Sequence, residues 1–334
     1  MYNLFEIDEW KIIERSFDPL KQKQAESIFS IGNGCFGQRA NFEETYTGDL
    51  LPGSYVGGVY YPDKTRVGWW KNGYPEYFAK VLNACNWIGI NVEIEGVQID
   101  LATSQVLSFY RELNMKEGTL KRLFKLRLAD GKELEIESLR FCSMHNEDLA
   151  AISYSLTPIN FSGIVRFTSY LNGMVTNHDA NYDEFFWDEV SRDINSSVGM
   201  VCAKTKKTDF YVATAMCSSF SDQNGLLDLE VKLNECELYV ENSFDHVLNQ
   251  GEKYTLHKYI SIASSVKYPS SELVDKSISC VKNSASLGFD ALLHNHIGAW
   301  ENIETDTLLS GAIAINNNIC SIPNLIPSTF MIMQ

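Results

Sequence analysis

Between about residues 26 and 265 the apolar positions recur mostly at every second residue, and Gly, Asn, Asp and Pro punctuate the runs. Ile90, Val92 and Ile94 alternate with Asn91, Glu93 and Glu95, so 88–101 reads as a hairpin turning at Glu95-Gly96. In 120–141, Leu120, Leu123, Phe124, Leu126 and Leu128 lead to Asp130-Gly131, a favoured two-residue hairpin turn, and Leu134, Ile136 and Leu139 return. Further strands are predicted at 149–158, 163–171, 199–205, 210–218, 230–240 and 254–263. Short spacing, hairpin turns and few helices predict an all-β fold of antiparallel sheets packed face to face. The number of strands exceeds that of a small sandwich. It predicts a supersandwich over residues 1–268, with two sheets of roughly six or more strands each.

Near Ser270 the period changes. Ser270 caps a run in which Leu273, Val274, Ile278 and Val281 fall near a 3.6-residue repeat. A second helical run over 288–303 places Phe289, Leu292, Leu293, Ile297 and Trp300 on one side. Residues 269–304 are therefore predicted to be a helical linker. Residues 305–334 are predicted to be an atypical, poorly ordered tail: no Lys or Arg follows Lys282, and no charge follows Asp306.

Composition narrows the partners. The formal net charge is −15, and no Lys/Arg cluster has the density of a nucleic-acid footprint, which argues against a nucleic-acid partner. No apolar run reaches membrane-spanning length, and the acidic first ten residues do not read as a signal peptide. The eight cysteines stand singly, without metal-type spacing, and read as reduced thiols of a cytoplasmic protein.

The densest candidate for ligand contact is 57–77, where six aromatics, two prolines and four glycines lie among charged residues. Aromatic faces beside amides and charges suit sugars, and the same composition suits a large loop packed on a neighbouring domain. A second aromatic stretch, 177–188, includes His178, Glu184 and Trp187; it reads as an interface loop or a ligand-facing one. Carboxylate pairs that could act on a glycosidic bond are Glu43 with Glu44, Asp179 with Asp183, and Glu184 with Asp188 and Glu189. The G-x-G-x-x-G spacing of Gly32, Gly34 and Gly37 lacks the following helix of a dinucleotide site and is read as a tight turn between strands. His294 and His296, two apart, would point different ways on a helix and form no metal site.

Several blocks in consistent order carry a family resemblance: Glu26-Ser27-Ile28-Phe29-Ser30-Ile31-Gly32-Asn33-Gly34, Gly37-Gln38-Arg39-Ala40-Asn41-Phe42-Glu43-Glu44, the stretch 55–84, and Arg111-Glu112-Leu113-Asn114-Met115-Lys116-Glu117-Gly118. Leu139-Arg140-Phe141, Thr208-Asp209-Phe210 and Leu287-Gly288-Phe289-Asp290-Ala291-Leu292-Leu293 continue it. Over about residues 5 to 303 the chain resembles the N-terminal part of glycoside hydrolase family 65, the inverting disaccharide phosphorylases. The resemblance implies a supersandwich of the galactose mutarotase type, a helical linker and then an (α/α)₆ barrel carrying a glutamate general acid. It implies a disaccharide substrate such as maltose, with kojibiose and trehalose as alternatives, and inorganic phosphate as nucleophile and co-substrate. It implies no metal or organic cofactor, and a homodimer in the intact enzyme.

After Ile303 the chain departs from the family pattern, which continues into the barrel. The expectation is a truncated chain, as from a reading frame shifted near the linker, inactive by itself and with no catalytic residue to assign. Trp69, Trp70, Lys71, Tyr74, Glu76 and Trp187 are the residues expected at the mouth of an intact active site. A binding or assembly module without chemistry is the alternative. An aldose epimerase built on His178 and Glu184 is a more distant one.

Overall fold

The computed structural model describes residues 5–64, 75–178 and 185–311. Two antiparallel sheets face each other, and two long helices cover the far side of the larger sheet. The larger sheet has 11 strands, in the order Glu6–Ile7, Lys11–Glu14, Gln105–Asn114, Thr119–Arg127, Glu133–Cys142, Leu149–Pro158, Tyr254–Ser264, Tyr211–Asp222, Gly199–Thr205, Trp187–Ile194, with Gly225–Leu226 branching from Tyr211–Asp222. The smaller has five strands: Lys232–Cys236, Tyr239–Leu248, Gly163–Asn172, Ile90–Ile94 and Val97–Gln98. This is the expected supersandwich, with a more unequal division of strands than the sequence predicts.

Alternation explains the smaller sheet. Ile90, Val92 and Ile94 are buried while Asn91 and Glu93 are only partly so, and Val165, Phe167 and Leu171 repeat the pattern. Phe167 and Phe244 of this sheet meet Phe220 of the larger one at centroid distances of 4.9 and 4.8 Å, which locks the two inner faces together. The central strands of the larger sheet are covered on both sides. Leu149–Pro158 accordingly opens on a continuous apolar run, Leu149-Ala150-Ala151-Ile152, all buried.

Two turns differ from expectation. The strands flanking Asp130-Gly131 end at Arg127 and Glu133, and Leu128 and Lys132 close a loop over Ala129-Asp130-Gly131 with Gly131 at φ +89°. One extra residue precedes the glycine, so the left-handed position falls at the third loop residue. The predicted strand 230–240 is two strands joined at Glu237-Leu238, with Leu238 at φ +55°. The glycines at 32, 34 and 37 do form the expected turn: Ile31–Gly32 pairs with Phe36–Gln38, and Gly34 has φ +88°.

Helix α1 spans Gln22–Ile28, α2 spans Leu273–Leu287 and α3 spans Phe289–Gly311, longer than the predicted run; 312–334 lie outside the described residues. Helix α2 presents Leu273 and Val281 to Val198, Met200 and the small residues Ala213, Ala215 and Ala263. Helix α3 buries Phe289, Leu292, His296 and Trp300, spaced at helical periods, against Phe141, Leu149 and Tyr259. His294 is exposed while His296 is buried, as their spacing requires.

The α3 contact is keyed by polar groups. His296 stacks on Phe141 at 4.7 Å, accepts from the Met144 amide at 3.1 Å, and its other ring nitrogen lies 3.2 Å from the Gly118 carbonyl. Burial drives its pKa down to about 4, so the ring is neutral here. The Trp300 indole donates to the Met115 carbonyl at 2.8 Å. Gly118 sits at φ +63°, and a Cβ there would stand 2.7 Å from the Trp300 ring. Gly118→Ala combines a disfavoured backbone angle with a clash, so a loss of ~1–3 kcal/mol is expected. Urea titration followed by tryptophan fluorescence checks this, and an unchanged midpoint would contradict the fit.

Candidate functional site

The segment that follows the glycine turn, 39–46, has no regular structure, yet most of it is buried. Its backbone carbonyls therefore need partners, and two arginines, on the strands either side of Thr119–Arg127, supply several of them. Arg140 donates to the carbonyls of Asn41 at 2.9 Å and Arg39 at 3.0 Å, and Arg111 to that of Ala40 at 3.3 Å. Arg111 and Arg122 stand directly opposite each other across two strands, so buried carboxylates must offset their repulsion. Glu14 lies 2.6 Å from Arg111, Glu44 lies 2.6 Å from Arg122, and Glu43 bridges Arg122 and Arg140, 3.0 Å from the latter. The Tyr154 hydroxyl donates to the other oxygen of Glu44 at 2.7 Å.

These contacts decide what the Glu43–Glu44 pair can do. Burial acts to raise both acids. At Glu43 the pull of Arg122 and Arg140 outweighs it, and the pKa falls below the usual carboxylate range. At Glu44 burial prevails, helped by the neighbouring charge of Glu43, and the pKa rises. Both oxygens of Glu44 are already engaged. The pair is a structural clamp holding an irregular segment onto the sheet, and it leaves no free acid or base.

Beside the clamp lies a cavity of about 300 Å³, between the 38–54 segment and residues 83–88 and 170–178. Its wall is mixed: amides of Gln38, Asn86 and Asn172, hydroxyls of Tyr46 and Tyr170, and apolar faces such as Ile88. Tyr170 rests where Gly89 has no side chain: a Cβ there would lie 2.2 Å from its ring. Tyr46 rests in the same way on Gly48, at 2.3 Å. Among the described residues no Lys or Arg lines this cavity. A wider cleft of about 700 Å³ opens between 143–149 and helices α2 and α3, where Lys267 pairs with Glu147 at 2.7 Å and Asp148 at 3.2 Å.

Of the residues expected at an active-site mouth, Trp69, Trp70, Lys71 and Tyr74 lie outside the described residues. Glu76 is exposed, just before the strand Tyr77–Val81. Trp187 is buried, at 6% exposure, because its indole donates to the Asn83 carbonyl at 2.8 Å; it offers no open face to a sugar. Asp179, Asp183 and Glu184 also lie outside the described residues, whereas His178 is exposed and lines the 300 Å³ cavity. Glu189 is held by Arg192 at 2.5 Å. Among the described residues no group of three His, Cys, Asp or Glu side chains is set to hold a metal, and no helix is long and apolar enough to cross a membrane. Sequence reasoning missed Arg122 and Tyr154 as partners of Glu44, and missed the cavity altogether.

Comparison with known proteins places this geometry. The sequence profile of the glycosyl hydrolase family 65 N-terminal domain matches residues 12–303. Maltose phosphorylase of Bacillus subtilis (strain 168) is 38% identical over 300 residues, covering 89% of this chain and 39% of that protein. Alpha,alpha-trehalose phosphorylase of Thermoanaerobacter brockii is 29% identical over 310 residues, covering 86% of this chain and 38% of that protein. A solved structure of a human-microbiome protein assigned as a kojibiose phosphorylase superposes with a TM-score of 0.79 at 21% identity, over 89% of this chain and 38% of that one, a likeness of fold. The chain thus spans under two-fifths of the length of these relatives.

Proposed function

The chain belongs to glycosyl hydrolase family 65, whose N-terminal domain it carries, and from that premise we propose that it is the supersandwich platform of an inverting disaccharide phosphorylase acting on maltose. The carrying observation is the 38% identity to a maltose phosphorylase across 89% of the chain, against 29% to a trehalose phosphorylase. In the proposed reaction a phosphate oxygen attacks the anomeric carbon of the non-reducing glucose. The glycosidic bond breaks with inversion, and a general acid protonates the departing oxygen. The products are β-glucose 1-phosphate and glucose. Phosphate is itself the nucleophile, so the scheme uses no organic cofactor.

The platform's part is positional. Among the described residues each buried carboxylate is committed, Glu14, Glu43 and Glu44 to arginines, Glu26 to Gln22 and the Leu51 amide, Asp100 to Thr47 and the Ala102 amide, and Asp148 to Lys267 and Tyr268. The proposed scheme assigns the acid to a helical barrel, and a homodimeric, cytoplasmic enzyme is the assembly proposed for the whole. Purified 334-residue chain incubated with maltose and phosphate is expected to release no glucose and consume no phosphate, with trehalose and kojibiose as parallel substrates. Turnover of any of the three would overturn the assignment. Fused ahead of the remainder of Bacillus subtilis maltose phosphorylase, the chain is expected to support maltose phosphorolysis, and a soluble but inactive fusion would count against the platform role.

A further inference from the structure

The geometry points to the 300 Å³ cavity beside the arginine clamp as a binding site for a neutral, polyhydroxylated ring, a hexose or the terminal unit of a glucoside. Three observations on its wall lead there.

The first is unused hydrogen-bonding capacity. The Gln38 side-chain oxygen and the Tyr46 hydroxyl are buried without a partner, although their residues are only 2% and 8% exposed. Such orphans are rare, because an unmet buried polar group costs about 1–3 kcal/mol. The side-chain oxygens of Asn86 and Asn172 accept from the Ile88 and Met174 amides, while their amide nitrogens donate to no group among the described residues. Donors and an acceptor thus line one small space. The two orphan atoms are closed off even from the cavity, so a ligand hydroxyl completes them by displacing the side chains that cover them.

The second is the aromatic surface. Tyr170 is fixed between Gly89 and Tyr239, whose ring stacks 5.8 Å away, and Tyr46 is fixed over Gly48 and against Phe42 at 5.2 Å. Rigid phenol rings beside amides suit the C–H faces of a sugar. The third is charge. Glu26 and Glu44 are the acids on the wall, both already hydrogen-bonded, Glu44 to Arg122 in the clamp behind it, and no Lys or Arg is among the described residues that line the cavity. A phosphorylated sugar would enter without a counter-charge, so the site discriminates against it. This inference stands apart from the phosphorylase proposal, because binding needs neither phosphate nor a barrel.

The test is saturation-transfer NMR and calorimetric titration of the 334-residue chain with glucose, maltose and glucose 1-phosphate. Saturable binding of glucose or maltose is expected, with glucose 1-phosphate weaker. Tyr46→Phe and Gln38→Met each remove an orphan atom, so each is expected to weaken binding by about 3- to 10-fold, the worth of one hydrogen bond. Tyr46→Phe is expected to leave the thermal midpoint unchanged or raised, since its hydroxyl has no protein partner to lose. No saturable binding of either neutral sugar, tighter binding of glucose 1-phosphate, or sugar binding untouched by both substitutions would each overturn the assignment.

Discussion

Replacing Arg122 with Met is expected to cost the domain about 3–5 kcal/mol, a large part of the ~5–15 kcal/mol that stabilises an ordinary domain. Arg122 contacts both Glu43 and Glu44, and all three side chains are nearly inaccessible to solvent. Without the guanidinium, Glu43 retains Arg140 and Glu44 retains only the Tyr154 hydroxyl. A buried carboxylate with no cation is left behind, and the irregular 39–46 segment loses one of its three arginine anchors. Urea unfolding of wild type and variant, followed by circular dichroism, measures the loss. Adding Glu44→Gln to Arg122→Met is expected to recover part of it, because the stranded charge disappears. A penalty below about 1 kcal/mol for the single change would show that the clamp does not hold the segment.

Lys258→Met is expected to act in the opposite direction. Lys258 is fully buried between the sheets, its ammonium donating to the carbonyls of Gly89 at 2.9 Å and Tyr170 at 2.7 Å, with no carboxylate beside it among the described residues. Burial drives its pKa down to about 7, from an ordinary value of 10.5. Between those two values the unfolded chain holds a proton that the folded chain sheds, so this residue makes stability rise with pH, by at most ~1.4 kcal/mol per unit. Below about pH 7 its destabilising share is complete. Met keeps the volume and removes the charge. The variant is expected to be more stable near pH 7 by ~1–4 kcal/mol, with the advantage fading as pH approaches 10.5. Denaturation midpoints of both proteins across pH 6 to 10 test this, and parallel profiles would refute it.

Much of the fold is written in local pattern. The 88–101 hairpin was legible because Ile90, Val92 and Ile94 alternate with polar residues and Glu95-Gly96 accepts the left-handed angles of the turn, φ +50° and +84°. Gln105–Asn114 escaped notice for a physical reason. A bulge between Val106 and Ser108 shifts its register, and it buries the charged Arg111 on the same face as Phe109 and Leu113, which breaks the apolar pattern of that face. Leu238 hid a hairpin because a bulky apolar residue rarely occupies a left-handed position.

The site was less legible. Glu43 and Glu44 were visible as a pair, but their role depends on Arg122, Arg140 and Tyr154, which lie about 80 to 110 positions further along the chain. Local reading cannot separate a solvated acid pair from one neutralised by distant strands. The cavity is assembled from three separate segments and announces itself only through atoms left unpaired after folding.

The outermost strand of the larger sheet, Trp187–Ile194, carries a bulge between Glu189 and Ser191 and bears Asp188, Glu189, Arg192 and Asp193. Its free row of amides and carbonyls is consequently bent out of line and crowded with charge, a poor template for another polypeptide to zip onto. Broad pleated layers invite fibrillar stacking wherever they terminate. Here the termination itself supplies the resistance, so straightening that kink by deleting Val190 would trade a self-limiting border for an adhesive one.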